Sequence, residues 1–176
     1  EAGPGMLYPT QCVDGRVHQE AGPELRAACA ALPEQAAGVR CPVGTAALTQ
    51  ATGRLASVYR FVLHAVPPFR SDERWEPRLL ASFVRTFDLI LFLVGARESG
   101  HLTVAVPLLG SGARGGGRDE CAAVAVRAVS HFGSQLHEGG GLVLRFAVVD
   151  ADAEHAMEQA FGSAGWARMP ITYGAQ

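Results

Sequence analysis

Apolar residues recur along this chain in two alternating rhythms, which predict short strands separated by helices. Val13, Val17 and Ala21 stand four apart and so share one helical face. Gly22-Pro23 breaks that run, and proline suits the first turn of a second helix over Glu24 to Leu32, ended by Pro33. Gly44 to Thr49 and Tyr59 to Val66 are short apolar runs bounded by glycine or proline, and both are expected as strands. Trp75, Leu79, Leu80, Phe83, Val84, Phe87 and Leu91 recur at three- and four-residue intervals, predicting a long helix from about Asp72 to Arg97. A stripe so rich in aromatics is expected to pack into the core. Leu102 to Leu108 is a third strand and Arg118 to Phe132 a helix rich in alanine and valine. After Gly139-Gly140-Gly141 come a fourth strand, Leu142 to Val149, and a last helix, Ala151 to Phe161.

Strands with near-continuous apolar runs, separated by helices, predict an α/β fold, a three-layer α/β/α sandwich around a mixed central sheet. Val104 to Leu108 is expected at its centre, buried and parallel to both Tyr59 to Val66 and Leu142 to Val149. A ligand cleft should then open at the C-terminal ends of these strands. Residues 1–12 hold Gly3-Pro4-Gly5 and Pro9 without periodicity and read as an irregular lead-in. Residues 13–161 form the domain, and 162–176 a tail that packs through Trp166 and Tyr173.

Composition narrows the function more than it changes the fold. With 176 residues, 48% hydrophobic and 18% charged, the chain can bury a continuous core and is not a disordered polymer. A net charge of −2 offers no general attraction for nucleic acid. All fifteen basic residues are arginine, a bias that reads as GC-rich coding sequence, with a viral source as one expectation. Cys12, Cys29, Cys41 and Cys121 are scattered, without paired spacing or a nearby histidine, so no metal site is expected. Free thiols point to an intracellular protein, cytoplasmic or nuclear. The longest apolar run, Leu89 to Val94, is too short to span a membrane, so no membrane partner is expected. The first residue is Glu1, and the chain is expected to be part of a larger polypeptide.

The strand over Val104 to Leu108 runs directly into Gly110-Ser111-Gly112-Ala113-Arg114-Gly115-Gly116-Gly117, and a helix opens at Arg118. Such a turn presents backbone N–H groups and the positive end of a helix dipole, which suit a phosphate or diphosphate. Gly112 lacks a Cβ, so an anion can approach its backbone. Ser111 can donate a hydroxyl hydrogen bond, and Arg114 can lie across the ligand as a charged clamp. A plain flexible surface loop is the alternative at this level.

Three segments, taken in order and ending with this loop, resemble the macro domain, an ADP-ribose-binding family. Val13-Asp14-Gly15-Arg16-Val17-His18 with Ala21-Gly22-Pro23-Glu24-Leu25 is similar to the helix start of the MacroD-type ADP-ribosylhydrolases. Cys41-Pro42-Val43-Gly44-Thr45-Ala46, with Val62-Leu63-His64-Ala65-Val66-Pro67-Pro68, resembles the paired motifs that come next in the family. The glycine loop and Glu120-Cys121-Ala122-Ala123 resemble the family's phosphate loop and next helix. The resemblance implies a ligand-binding set of Asp14, Gly110, Ser111, Gly112, Ala113, Arg114 and Gly115. It also implies a catalytic role for Asp14, the acid that contacts the distal ribose and orients a water; a helix cap is the simpler reading of the same residue. His18 shares its helical face, and His64, inside an apolar strand, is expected to be structural. No cofactor is implied.

The departures from the pattern are as informative. The family carries a strand with an adenine-binding acid and an Asn-Ala-Ala-Asn motif before the Asp14 segment. Twelve residues precede Val13 here, none of them asparagine. Arg114 also stands where the family has an aromatic. The implied function is binding of ADP-ribose or of mono-ADP-ribosylated protein. Its rivals are a mono-ADP-ribosylhydrolase, cleaving a glycosidic or ester bond, and a degenerate fold kept as a protein–protein module.

Overall fold

The computed structural model describes residues 2–6, 13–96, 102–135 and 142–167. Five α-helices and four strands occur in the predicted order: α1 (Val13–Ala21), α2 (Pro23–Ala30), β1 (Ala46–Gln50), β2 (Phe61–Ala65), α3 (Trp75–Gly95), β3 (Leu102–Pro107), α4 (Arg118–Gly133), β4 (Leu142–Ala147) and α5 (Ala151–Ser163). A 3-10 turn over Gly53–Ser57, not expected from the sequence, lies between β1 and β2. The architecture is α/β with mixed strand pairing. β1 and β2 run antiparallel, with Ala46 opposite Ala65, and β3 and β4 run parallel, with Leu102 opposite Leu142.

This pairing corrects the expected place of Val104 to Leu108. That strand is parallel to β4 alone, and among the described residues β2 is bonded to β1 in a separate two-stranded sheet. Nor is it buried throughout. Successive strand residues point to opposite faces. Val104 and Val106 pack inward, whereas Thr103 and Ala105 are exposed and give the other face little apolar surface.

The larger core lies between α3, α4 and the parallel pair. Leu79 and Phe83 on the predicted stripe are fully buried, as is Ile90 beside it, and Phe87 stacks on Phe132 of α4 with ring centroids 4.7 Å apart. α4 meets that stripe with Ala122, Ala125 and Ala128, small residues that let two helices approach closely. A second core holds Leu25, Cys29, Cys41 and Val66 between α1, α2 and the antiparallel pair. Ala2 and Met6 belong to it, so this part of the expected lead-in is core, held where the Ala2 N–H donates to the Ala65 carbonyl at 2.7 Å. Several charges of 70–78 form ion pairs at the surface. Arg70 bonds Glu120 through two nitrogens, Arg78 pairs with Asp72 and Glu76 with Arg127. Trp166 packs edge-on against Phe161 at 6.4 Å; Tyr173 lies outside the described residues.

Candidate functional site

A cleft of about 550 Å³ lies between the two halves of the fold. That volume is in the range of small-molecule sites. One wall is α1 and the 3-10 turn, through Val13, Arg16, Val17, Glu20 and Leu55. The other is formed by the C-terminal ends of the parallel strands and the loops leading from them into α4 and α5, through Pro107, Leu108, Ser111, Gly112, Val148, Val149, Asp150 and Arg118. The interior is mostly aliphatic, with charges at the rim. Arg118 and Asp150 hold each other through two hydrogen bonds of 2.8 and 2.9 Å, and Asp150 also accepts the Ala153 N–H to cap α5.

The glycine loop is built by close backbone approach. Gly110 has φ +87°, where a side chain is strained, and its carbonyl accepts the Gly116 N–H at 2.9 Å. A Cβ on Gly116 would come within 2.7 Å of the Cys121 sulfur and 2.9 Å of the Gly110 carbonyl, so this crossing admits only glycine. Gly112 is the opposite case, exposed and facing open space. It lines the cleft with Ser111, whereas Gly110 and Arg114 are buried behind them. Two expectations change here. The Ser111 hydroxyl donates to the Leu108 carbonyl at 2.8 Å, so its proton is taken up by the turn itself. Arg114 points inward: its Nη2 donates to the Ala2 carbonyl at 2.7 Å and its guanidinium lies over the Phe69 ring. Ala113 and Gly115 are exposed loop positions outside the cleft lining.

Asp14 also differs from expectation. It is the second residue of α1, not its cap, and is buried, outside the residues that line the cleft. Its Oδ1 lies 3.7 Å from His18 Nε2, one turn on. His18 in turn faces His64 of β2, ring centroids 6.5 Å apart. His64 Nε2 shares a 2.9 Å hydrogen bond with the Thr49 hydroxyl of β1 and lies 3.9 Å from the Cys29 sulfur. Burial, then the neighbouring His18, push the His64 pKa down to about 4, so the ring is neutral near pH 7. Burial, then the Asp14 carboxylate, push the Cys29 thiol up to about 11 and keep it protonated. Sequence reasoning placed Asp14 and His18 on one helical face but missed that His64 comes up beside His18. It also missed Arg16, Glu20, Leu55, Arg118 and Asp150 as cleft residues. Asp150 had a legible signal, an aspartate at a strand's end immediately before a helix.

Among the described residues no group of His, Cys, Asp and Glu is arranged to hold a metal ion, and no helix is long and apolar enough to cross a membrane.

An O-acetyl-ADP-ribose deacetylase of Citrobacter rodentium is 35% identical over 122 residues, 68% of this chain and 63% of that protein. The chain therefore spans less than two thirds of that relative's length. A macro domain-containing protein of Vibrio parahaemolyticus is 34% identical over 84% of this chain and 81% of its own. Among solved structures, the Oceanobacillus iheyensis macrodomain with ADP superposes with a TM-score of 0.77 at 23% identity, covering 93% of this chain and 82% of that one. The Trypanosoma brucei macrodomain in complex with ADP-ribose gives 0.71 at 23% identity, over 92% and 62%. The family model for the macro domain matches residues 5–125, which span α1, both strands of the antiparallel pair, the glycine loop and the start of α4; the chain belongs to the macro domain family.

Proposed function

We propose that this chain binds ADP-ribose, free or attached to protein, in the cleft between α1 and the glycine loop. The observation that carries the reading is the open backbone at Gly112, at the mouth of an aliphatic cleft beside the α4 N-terminus. Backbone N–H groups and the helix dipole there suit a diphosphate. The aliphatic walls suit the nucleoside, and relatives of this chain carry names and bound ligands of the same chemistry. ADP-ribose should raise the melting temperature, and adenosine, lacking the diphosphate, should do so much less. Gly112→Glu places an anion where phosphate belongs and should abolish the shift, because the side chain enters open space and leaves the fold intact. Calorimetry without heat at millimolar ADP-ribose would overturn the proposal in favour of a protein–protein module.

A second reading, hydrolysis of the mono-ADP-ribosyl bond or of an O-acetyl ester, draws on the Asp14–His18 pair. Asp14 is buried beside the cleft wall that Val13 and Val17 form, so orienting a water from there requires its carboxylate to be uncovered. Misplacement by about 1 Å costs on the order of 10²-fold in rate. Slow release of labelled ADP-ribose, lost in Asp14→Ala, is the outcome that reading expects.

A further inference from the structure

Arg114 is the one buried arginine among the described residues, 8% exposed, although it belongs to a glycine-rich surface loop. Taking a guanidinium out of water is costly unless its new contacts hold something in place. Both contacts here are neutral. Nη2 donates to the Ala2 carbonyl at 2.7 Å, and the guanidinium carbon lies 4.4 Å from the Phe69 ring centroid. They close a circuit. Ala2 donates to Ala65 at the end of β2, the chain continues through 66–70, and the Arg70 N–H donates to the Arg114 carbonyl at 2.8 Å. The loop is thereby fastened from behind at both the backbone and the side chain of one residue. Among the described residues, its cleft side, Ser111 and Gly112, carries no such fastening to another element.

We propose that Arg114 is a positioning residue for anion binding. It ties the Gly110–Gly115 loop to Ala2 and Phe69, and so presets backbone donors for a ligand that it does not touch. Rigidity of this kind strengthens binding by lowering the ordering cost that the ligand would otherwise meet. The segment 2–6 thereby becomes part of the support of the cleft. This rests on the ADP-ribose binding proposed above, and deepens it.

A double-mutant cycle separates a brace from a direct clamp. Arg114→Met keeps the apolar stem and removes the donor. Phe69→Leu removes the ring at a position 56% exposed, outside the cleft lining, where the core is not disturbed. Each should weaken ADP-ribose about tenfold, and the double variant should also lose only about tenfold, because both cut one brace. Amide hydrogen exchange at 111–116 in the ligand-free protein should rise in all three. Losses that multiply to about a hundredfold, or a Phe69→Leu variant that binds like the parent, would overturn the proposal. If the parent itself fails to bind ADP-ribose, the binding reading falls, and the exchange measurement still decides the brace. Unchanged exchange in Arg114→Met overturns it.

Discussion

The half built on the antiparallel pair and the half built on the parallel pair differ in where they bury carboxylate and imidazole groups. The first buries Asp14, Thr49 and His64 among the elements that carry Leu25, Cys29 and Val66. The second keeps its carboxylates outside, in exposed pairs such as Arg70–Glu120 and Arg118–Asp150, over a core that is mainly aliphatic and aromatic and whose buried Ser82 and Thr86 hydroxyls donate to helix carbonyls. The cleft lies where the two meet, and the contrast assigns their contributions. The parallel half offers an anion a backbone loop and a helix end, groups that do not titrate. The antiparallel half supplies groups whose charge depends on burial and on each other. On the proposed reading, the anion would rest on the parallel half, and the buried histidine and carboxylate lie in the other.

The sharpest way to break that division is to damage one core and ask whether the other notices. Phe83 is fully buried at the centre of the α3 stripe, and Phe83→Ala should cost about 3–5 kcal/mol in the transfer and cavity terms together. α3 packs on β1 and β2 as well as on α4, so the loss should be shared. Urea denaturation combined with amide exchange should show α1 and α4 loosening together. Exchange that rises in α4 and stays fixed in α1 would make the halves separate units.

The sequence read the elements well because their signals are local. Proline and glycine punctuate every strand, and the apolar spacing of 75–91 leaves little choice but a helix. The glycine loop was legible for the same reason. Pairing was not, since the joining of β2 to β1 alone depends on contacts that no local pattern carries. Arg114 shows the limit at the level of one side chain. An arginine in a glycine-rich loop reads as a solvent-facing clamp, and only the presence of Ala2 and Phe69 behind the loop turns it inward. Spacing alone does not fix which face of α1 the cleft takes, so the sequence leaves the role of Asp14 open. The meeting of Asp14, His18 and His64 needed α1 and β2 side by side.

A pH series sharpens the comparison next, because the two halves should lose stability in different windows. His64 ordinarily titrates near 6.5 and is held down to about 4 by burial and His18. The unfolded chain therefore takes up that proton first. The stability it contributes is fully present above about pH 6.5 and drains away as pH falls towards 4. A gap of this size corresponds to about 3 kcal/mol. Asp72, Glu120 and Asp150 are instead held below the usual carboxylate range by hydrogen bonds from backbone and arginine. Their contribution is present above their ordinary values and is lost at lower pH. His64→Gln should flatten the stability profile between pH 6.5 and 4 and leave the more acidic limb unchanged. An unflattened profile would show that the buried histidine is not the titrating group.

The smallest expected effect tests the joint itself. Ser82, on α3, is fully buried, and its hydroxyl lies 3.1 Å from the Val66 carbonyl and 3.0 Å from the Arg78 carbonyl. One proton serves two acceptors, and the Val66 bond ties the long helix to the segment just after β2. Val66 belongs to the smaller core and α3 to the larger, so this hydroxyl bonds one half to the other. The Val66 carbonyl also accepts the Gly44 N–H at 2.8 Å, which leaves it satisfied when the serine is removed. Ser82→Ala should therefore cost about 1 kcal/mol, the net worth of one hydrogen bond, with no orphaned acceptor to enlarge it. Thermal denaturation should show a modest drop in Tm and an unchanged cooperative transition. A split into two transitions would mean that this single bond, not the packing of α3 on β1 and β2, couples the halves.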